Sequence, residues 1–139
     1  MKAVVDTNVI VSALMNTNGP PAKIVSLILN GKIKILYDNR IIFEYGEVLS
    51  RKEFGFNLEV INDLLAFFRY EGDYINADHL VQKFPDENDK KFYEVYKTGE
   101  ARYLITGNKR HFPPDDAVII PKDFLEAYNK QFPANWQFN

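Results

Sequence analysis

Asp6, Glu44 and Asp89 are the residues on which hydrolytic chemistry could turn in this chain, with Asn108 as a fourth polar group. Asp6 closes the apolar run Ala3-Val4-Val5, and Asn108 comes just after a second run, Tyr103-Leu104-Ile105-Thr106. Glu44 lies in a helical pattern after another apolar stretch, and Asp89 falls in the first turn of a later helix. Carboxylates gathered at one place repel one another and call for a cation. Mg²⁺ or Mn²⁺ is the natural choice, because hard cations take oxygen ligands and commonly keep waters for a phosphate-bearing substrate. Metal-bound water would then be the nucleophile.

Each of these residues also has a plainer reading. Asp6 could simply cap the first helix, but sites in open parallel sheets form outside the carboxyl ends of strands, which favours a functional role. Glu44 taken alone is a solvated helix residue, and Asn108 an ordinary turn residue. Asp86 and Asp89 have the spacing of a capping pair and would both favour a helix N-terminus.

The elements that must position these groups are readable in order. The unbroken apolar character of residues 3–5 is that of a parallel strand covered on both faces. Thr7 or Asn8 can cap the helix that follows, with Val9, Ala13 and Leu14 on its inward side. Pro21 suits the first turn of a second helix, which Asn30-Gly31 ends. A strand over 33–37 leads to a helix capped by Asp38-Asn39, whose inward face carries Ile41, Ile42, Tyr45, Val48 and Leu49. The spacing of Ile61, Leu64, Leu65 and Phe68 predicts an amphipathic core helix. A short strand over 73–77, a helix opening at the acidic run 86–89, strands over 103–106 and 118–120, and a helix over 121–130 complete the pattern. Strands alternating with helices imply a mainly parallel sheet with helices on both faces. If the two most apolar strands are neighbours at its centre, Asp6 and Asn108 meet at one rim.

Composition narrows the chemistry further. The chain has 139 residues, the size of one domain, here 1–139, and no cysteine, so a thiolate nucleophile, a disulfide framework and a zinc–thiolate centre are excluded. Lys and Arg number 17 against 19 Asp and Glu, for a formal charge of -2, so no global basic field holds nucleic acid. A nucleic-acid partner would need bound metal or a local patch. Lys109, Arg110 and His111, just past Asn108, could be that patch or only an exposed loop. Neither a basic leader nor a membrane-length apolar run is present, which fits a soluble cytoplasmic protein. The aromatic residues Phe132, Trp136 and Phe138 are expected to pack on their own domain rather than on a partner.

In their combined order and spacing, four stretches resemble the PIN-domain nucleases over nearly the whole chain. They are Val4-Val5-Asp6-Thr7-Asn8-Val9-Ile10, Glu44-Tyr45-Gly46-Glu47-Val48-Leu49-Ser50-Arg51, residues 86–92, and Tyr103-Leu104-Ile105-Thr106-Gly107-Asn108-Lys109. Within that family the chain is similar to compact VapC-like toxins of type II toxin–antitoxin pairs. The resemblance implies a three-layer α/β/α, Rossmann-like PIN fold with four to five strands, and a Mg²⁺- or Mn²⁺-dependent endoribonuclease. It assigns the metal to Asp6, Glu44 and Asp89, has Asn8 order the site from behind, and makes Asp86 an outer acid of lower rank. Asn108 stands where many of these proteins carry aspartate, which removes one formal negative charge and would weaken the hold on a second metal. A small antitoxin partner and a homodimer are further implications.

Two other readings stay open. A haloacid-dehalogenase-like phosphatase would also use an aspartate after the first strand as nucleophile, but it needs a second aspartate where Asn8 stands. A catalytically weakened domain kept for RNA or protein binding would be compatible with Asn108.

Overall fold

A computed structural model describes residues 1–133, so Trp136 and Phe138 lie outside it. Five strands form one all-parallel sheet: β1 (Lys2–Val5), β2 (Lys34–Tyr37), β3 (Asp73–Tyr74), β4 (Tyr103–Ile105) and β5 (Val118–Ile119), in the order β3-β2-β1-β4-β5. Six helices connect and cover them: α1 (Thr7–Met15), α2 (Pro20–Leu29), α3 (Asn39–Leu49), α4 (Leu58–Glu71), α5 (Lys90–Thr98) and α6 (Pro121–Gln131). The arrangement is the three-layer α/β/α fold, with α5 lying across β2, β1 and β4.

The sheet owes its order to the apolar runs. Ala3, Val4 and Val5 of β1 are wholly buried, as are Leu36 of β2 and Leu104 and Ile105 of β4. Burying each of these larger side chains stabilises the fold by about 1.5–3 kcal/mol, so the most apolar strands take the centre. β1 therefore lies between β2 and β4, and the register pairs Val5 with Ile105. The next residues on the two strands are Asp6 and Thr106.

Several boundaries differ from the sequence expectation. The residue at the cap of α1 is Asp6, and both Thr7 and Asn8 are already helical. Only Asp73 and Tyr74 pair as β3; Ile75 still donates to the Tyr37 carbonyl at 2.8 Å, and by Asp78 the chain is hydrogen-bonded to Thr98 instead. The acidic run does not open α5 directly. It forms a 3₁₀ turn, Glu87–Asp89, capped by the Asp86 carboxylate, which accepts from the Asn88 N–H at 2.9 Å. Gly31 ends α2 at φ 75°, a left-handed conformation that glycine adopts without strain. Phe132 lies against Tyr128 of α6, with ring centroids 5.0 Å apart.

Candidate active site

Asp6 is fixed by its backbone before its side chain is considered. Its N–H continues the sheet by donating to the Ile105 carbonyl at 2.9 Å, and its own carbonyl accepts from Val9 N–H at 3.0 Å in the first turn of α1. The carboxylate makes no helix-capping bond. It accepts instead from the Thr106 hydroxyl at 2.8 Å. That hydroxyl accepts in turn from the Asn108 N–H at 3.0 Å, so its proton is directed at Asp6. Asn8 lies behind the pair: its amide oxygen accepts from Gly107 N–H at 3.1 Å, and its amide nitrogen stands 3.4 Å from Asp6 Oδ2. The Asn108 side chain is exposed and makes no hydrogen bond among the described residues. Its link to Asp6 is through the main chain.

Glu44 reaches the same rim from α3. Tyr45, wholly buried beside it, donates its hydroxyl to the Val5 carbonyl, which β2 leaves unpaired because it bonds only the start of β1. This bond ties α3 to the end of β1. Glu44 then accepts from the Thr7 hydroxyl and pairs with Lys91 Nζ at 2.7 Å.

Asp89 follows the 3₁₀ turn. Although it occupies the cap position of α5, it makes no capping bond, and its carboxylate lies 3.0 Å from His111 Nδ1. The 3₁₀ turn Lys109–His111 that presents this histidine is anchored by Phe112, which packs against Phe84 and Tyr93. Thus Asp86 is the capping acid of the pair and Asp89 is not.

Asp6 and Asp89 both feel the charge of Glu44. Burial, opposed by the Thr106 hydrogen bond and reinforced by the charges of Asp89 and Glu44, raises the Asp6 carboxyl from 3.8 to about 6. Asp89 is also raised, chiefly by burial, with His111 pulling the other way and Asp86 and Glu44 adding to the rise. The Tyr45 hydroxyl is pushed well above its ordinary value, by burial and then by the charges of Asp6 and Glu44, so it remains a donor to Val5.

Residues 2–110 match the family described as PIN domain. The chain belongs to the PIN-domain family. An uncharacterized protein of Methanocaldococcus jannaschii is 35% identical over 146 aligned positions, which cover 94% of this chain and 93% of that one. PIN domains are generally nucleases and generally use divalent metals.

The donor chemistry of this PIN domain fits such an ion: three mutually unfavourable carboxylates supply the oxygen ligands it takes, and the nearby imidazole nitrogen of His111 is already engaged by Asp89. Among the described residues, however, no group of three or more Asp, Glu or His side chains is drawn together as a metal-holding set. The pKa shifts and this absence are compatible, because Coulomb repulsion acts over longer distances than ligation does. Glu44 is engaged by Lys91 and Thr7, and Asp89 by His111.

Two participants could not be singled out from sequence, and a third takes a role other than the one expected. Thr106 read only as the end of a strand, yet it supplies the hydrogen bond to Asp6. Lys91 carried no signal beyond lying two residues after Asp89. His111 is neither a free basic group nor an idle surface residue, because it is committed to Asp89; Lys109 and Arg110 remain exposed. No helix among the described residues is long and apolar enough to cross a membrane.

Proposed function

We propose that this PIN domain is a Mg²⁺- or Mn²⁺-dependent endoribonuclease, the cytoplasmic toxin of a toxin–antitoxin pair, with a small antitoxin partner and a homodimeric state. The observation that carries the nuclease reading is Asp6: a buried carboxylate at the end of the central strand that has hydroxyl and amide neighbours but, among the described residues, no cationic partner. Such a group is costly to keep charged unless something positive arrives.

Asp6, Glu44 and Asp89 would hold the ion. When bound, it would lower the pKa of water and offset charge developing at the scissile phosphate. Thr106 and Asn8 orient the Asp6 carboxylate. Lys91 pairs with Glu44, and His111 hydrogen-bonds Asp89, in the absence of substrate. Lys109 and Arg110, exposed beyond Asn108, are free to meet phosphates of the RNA backbone. Asn108 contributes its N–H to the Thr106 hydroxyl, a role that does not need an acid at this position.

The test is cleavage of structured and unstructured RNA by the purified protein with Mn²⁺, with EDTA and Asp6→Asn as controls. Equal cleavage by Asp6→Asn and the parent would remove this mechanism. A second reading, a weakened domain that binds RNA or protein without cutting, is favoured by the side-chain partners, Lys91 and His111, that Glu44 and Asp89 already have. Calorimetry with Mn²⁺ separates them, since only the nuclease predicts binding heat that Asp6→Asn abolishes.

A further inference from the structure

Phe43 immediately precedes Glu44 in α3, but it faces away from the core side that carries Ile41, Ile42, Tyr45 and Leu49, and the residue is 71% exposed. It lines a cleft of about 770 Å³, within the size range of small-molecule sites. Arg40, His79, Asn88, Lys90 and Lys91 also line it. None of Asp6, Glu44 and Asp89 lines this cleft, yet Lys91 belongs to both places, bonding Glu44 while forming part of the wall.

The cations of the cleft are not equally committed. Arg40 is held by Asp38 and Glu94 at 2.7 Å each, and Lys91 by Glu44 at 2.7 Å. Lys90 and His79 are held loosely, 3.6 Å from Glu87 and 3.7 Å from Glu94. His79, with its side chain 82% exposed, can turn to an incoming phosphate at little cost, whereas Lys90, whose side chain is only 18% exposed, would meet one from its place in the wall.

We infer that this cleft is a subsite for one unpaired nucleotide of the RNA, with its base stacked on Phe43 and its phosphate met by Lys90 and His79. The inference rests on RNA being the substrate proposed above, but not on its cleavage. A flat exposed ring beside basic side chains is the combination by which proteins hold single strands. A base in a duplex cannot stack on a side chain, so the subsite selects unpaired RNA. Leu80, Glu87 and Glu94 complete the lining, and a protein partner would favour a broader apolar face than one ring and one leucine set among charged and amide groups. Because Lys91 spans the cleft and Glu44, a strand crossing the acids would deliver its neighbouring nucleotide here.

The experiment is fluorescence anisotropy of a labelled single-stranded and a labelled duplex RNA in EDTA, where no cutting occurs. Phe43→Ala should weaken single-strand binding roughly tenfold and leave duplex binding unchanged, and Phe43→Tyr should restore it. Phe43→Leu, apolar but without a ring, should behave like Phe43→Ala. Lys90→Ala should reduce the salt dependence by about 0.7 in log–log slope, one phosphate contact of a single strand. Because Phe43 is exposed, the thermal melts should coincide, which keeps misfolding out of the comparison. The inference is overturned if Phe43→Ala or Phe43→Leu binds as the parent does, if duplex binding falls equally, if the parent binds neither RNA, or if Phe43→Ala alters only self-association. A parent that binds in this way but never cuts with Mn²⁺ would remove the nuclease reading and leave the subsite standing.

Discussion

Asp6 and Asp38 occupy equivalent places in neighbouring strand–helix units, each directly after a central parallel strand and each almost wholly buried. Their fates are opposite. Asp38 caps α3 by accepting from Ile41 N–H at 3.1 Å, and it shares Arg40 with Glu94. That network is closed: burial alone would raise the Glu94 carboxyl, but Arg40 and the Leu80 N–H outweigh it and hold the carboxyl below its ordinary 4.5. Asp6 makes no capping bond, has no cationic partner among the described residues, and is raised to about 6. Burial and position at a strand end are therefore shared by both acids. The missing countercharge is what sets Asp6 apart as a site for incoming positive charge.

The comparison can be broken in several ways. The largest effect should come from Asp6→Asn, which should lower RNA cleavage with Mn²⁺ by about a thousandfold, roughly 4 kcal/mol of transition-state stabilisation. In EDTA the same variant should melt higher than the parent, because an uncompensated buried charge is gone, whereas Asp38→Asn should melt lower. Melting shifts of the same sign in both variants would erase the distinction drawn between them.

Arg40→Met should cost about 3 kcal/mol in denaturant unfolding, since it strands two buried carboxylates together. A loss below about 1 kcal/mol would mean that water already compensates Asp38 and Glu94.

Lys91→Met sharpens the comparison from the other side. Lys91 is the cation that makes Glu44 partly resemble the closed network, so removing it should tighten Mn²⁺ binding in calorimetry by about tenfold, the equivalent of 1.4 kcal/mol. Unchanged or weaker affinity would show that Lys91 does not compete with the ion.

The smallest effect is in the pH dependence of stability. Glu94 has a folded-state pKa below its unfolded value of about 4.5, so its stabilisation is present above that pH and is lost as pH falls through the lower folded value. The stability difference between the parent and Glu94→Gln, followed by urea unfolding, should be constant above about pH 5 and shrink below about pH 4. A difference that grew on acidification would reverse the assigned sign.

Much of this molecule was legible along the chain. Residues 3–5 and 103–105 are apolar without alternation, and such strands must be covered on both faces, which fixes them near the middle of a parallel sheet. Gly31 and the proline at the start of α6 marked helix ends by backbone chemistry alone. Asp6 could be named because it follows a buried strand directly. What sequence could not resolve was the partner each acid takes. Asp86 and Asp89 look alike as capping residues, yet one caps the 3₁₀ turn and the other turns to His111.

The local pattern of side chains thus determined the elements, their order of apolarity and the identity of the acids at their ends, because those properties depend on neighbours within a turn or two. The tertiary structure alone decided which acids are neutralised. Thr106 meets Asp6 from 100 residues away, through the one register that sets Val5 beside Ile105. Lys91 meets Glu44, and Arg40 meets Glu94, across similarly nonlocal contacts. Charge compensation acts through space, so a carboxylate's role depends on what the packed fold sets within a few ångströms of it.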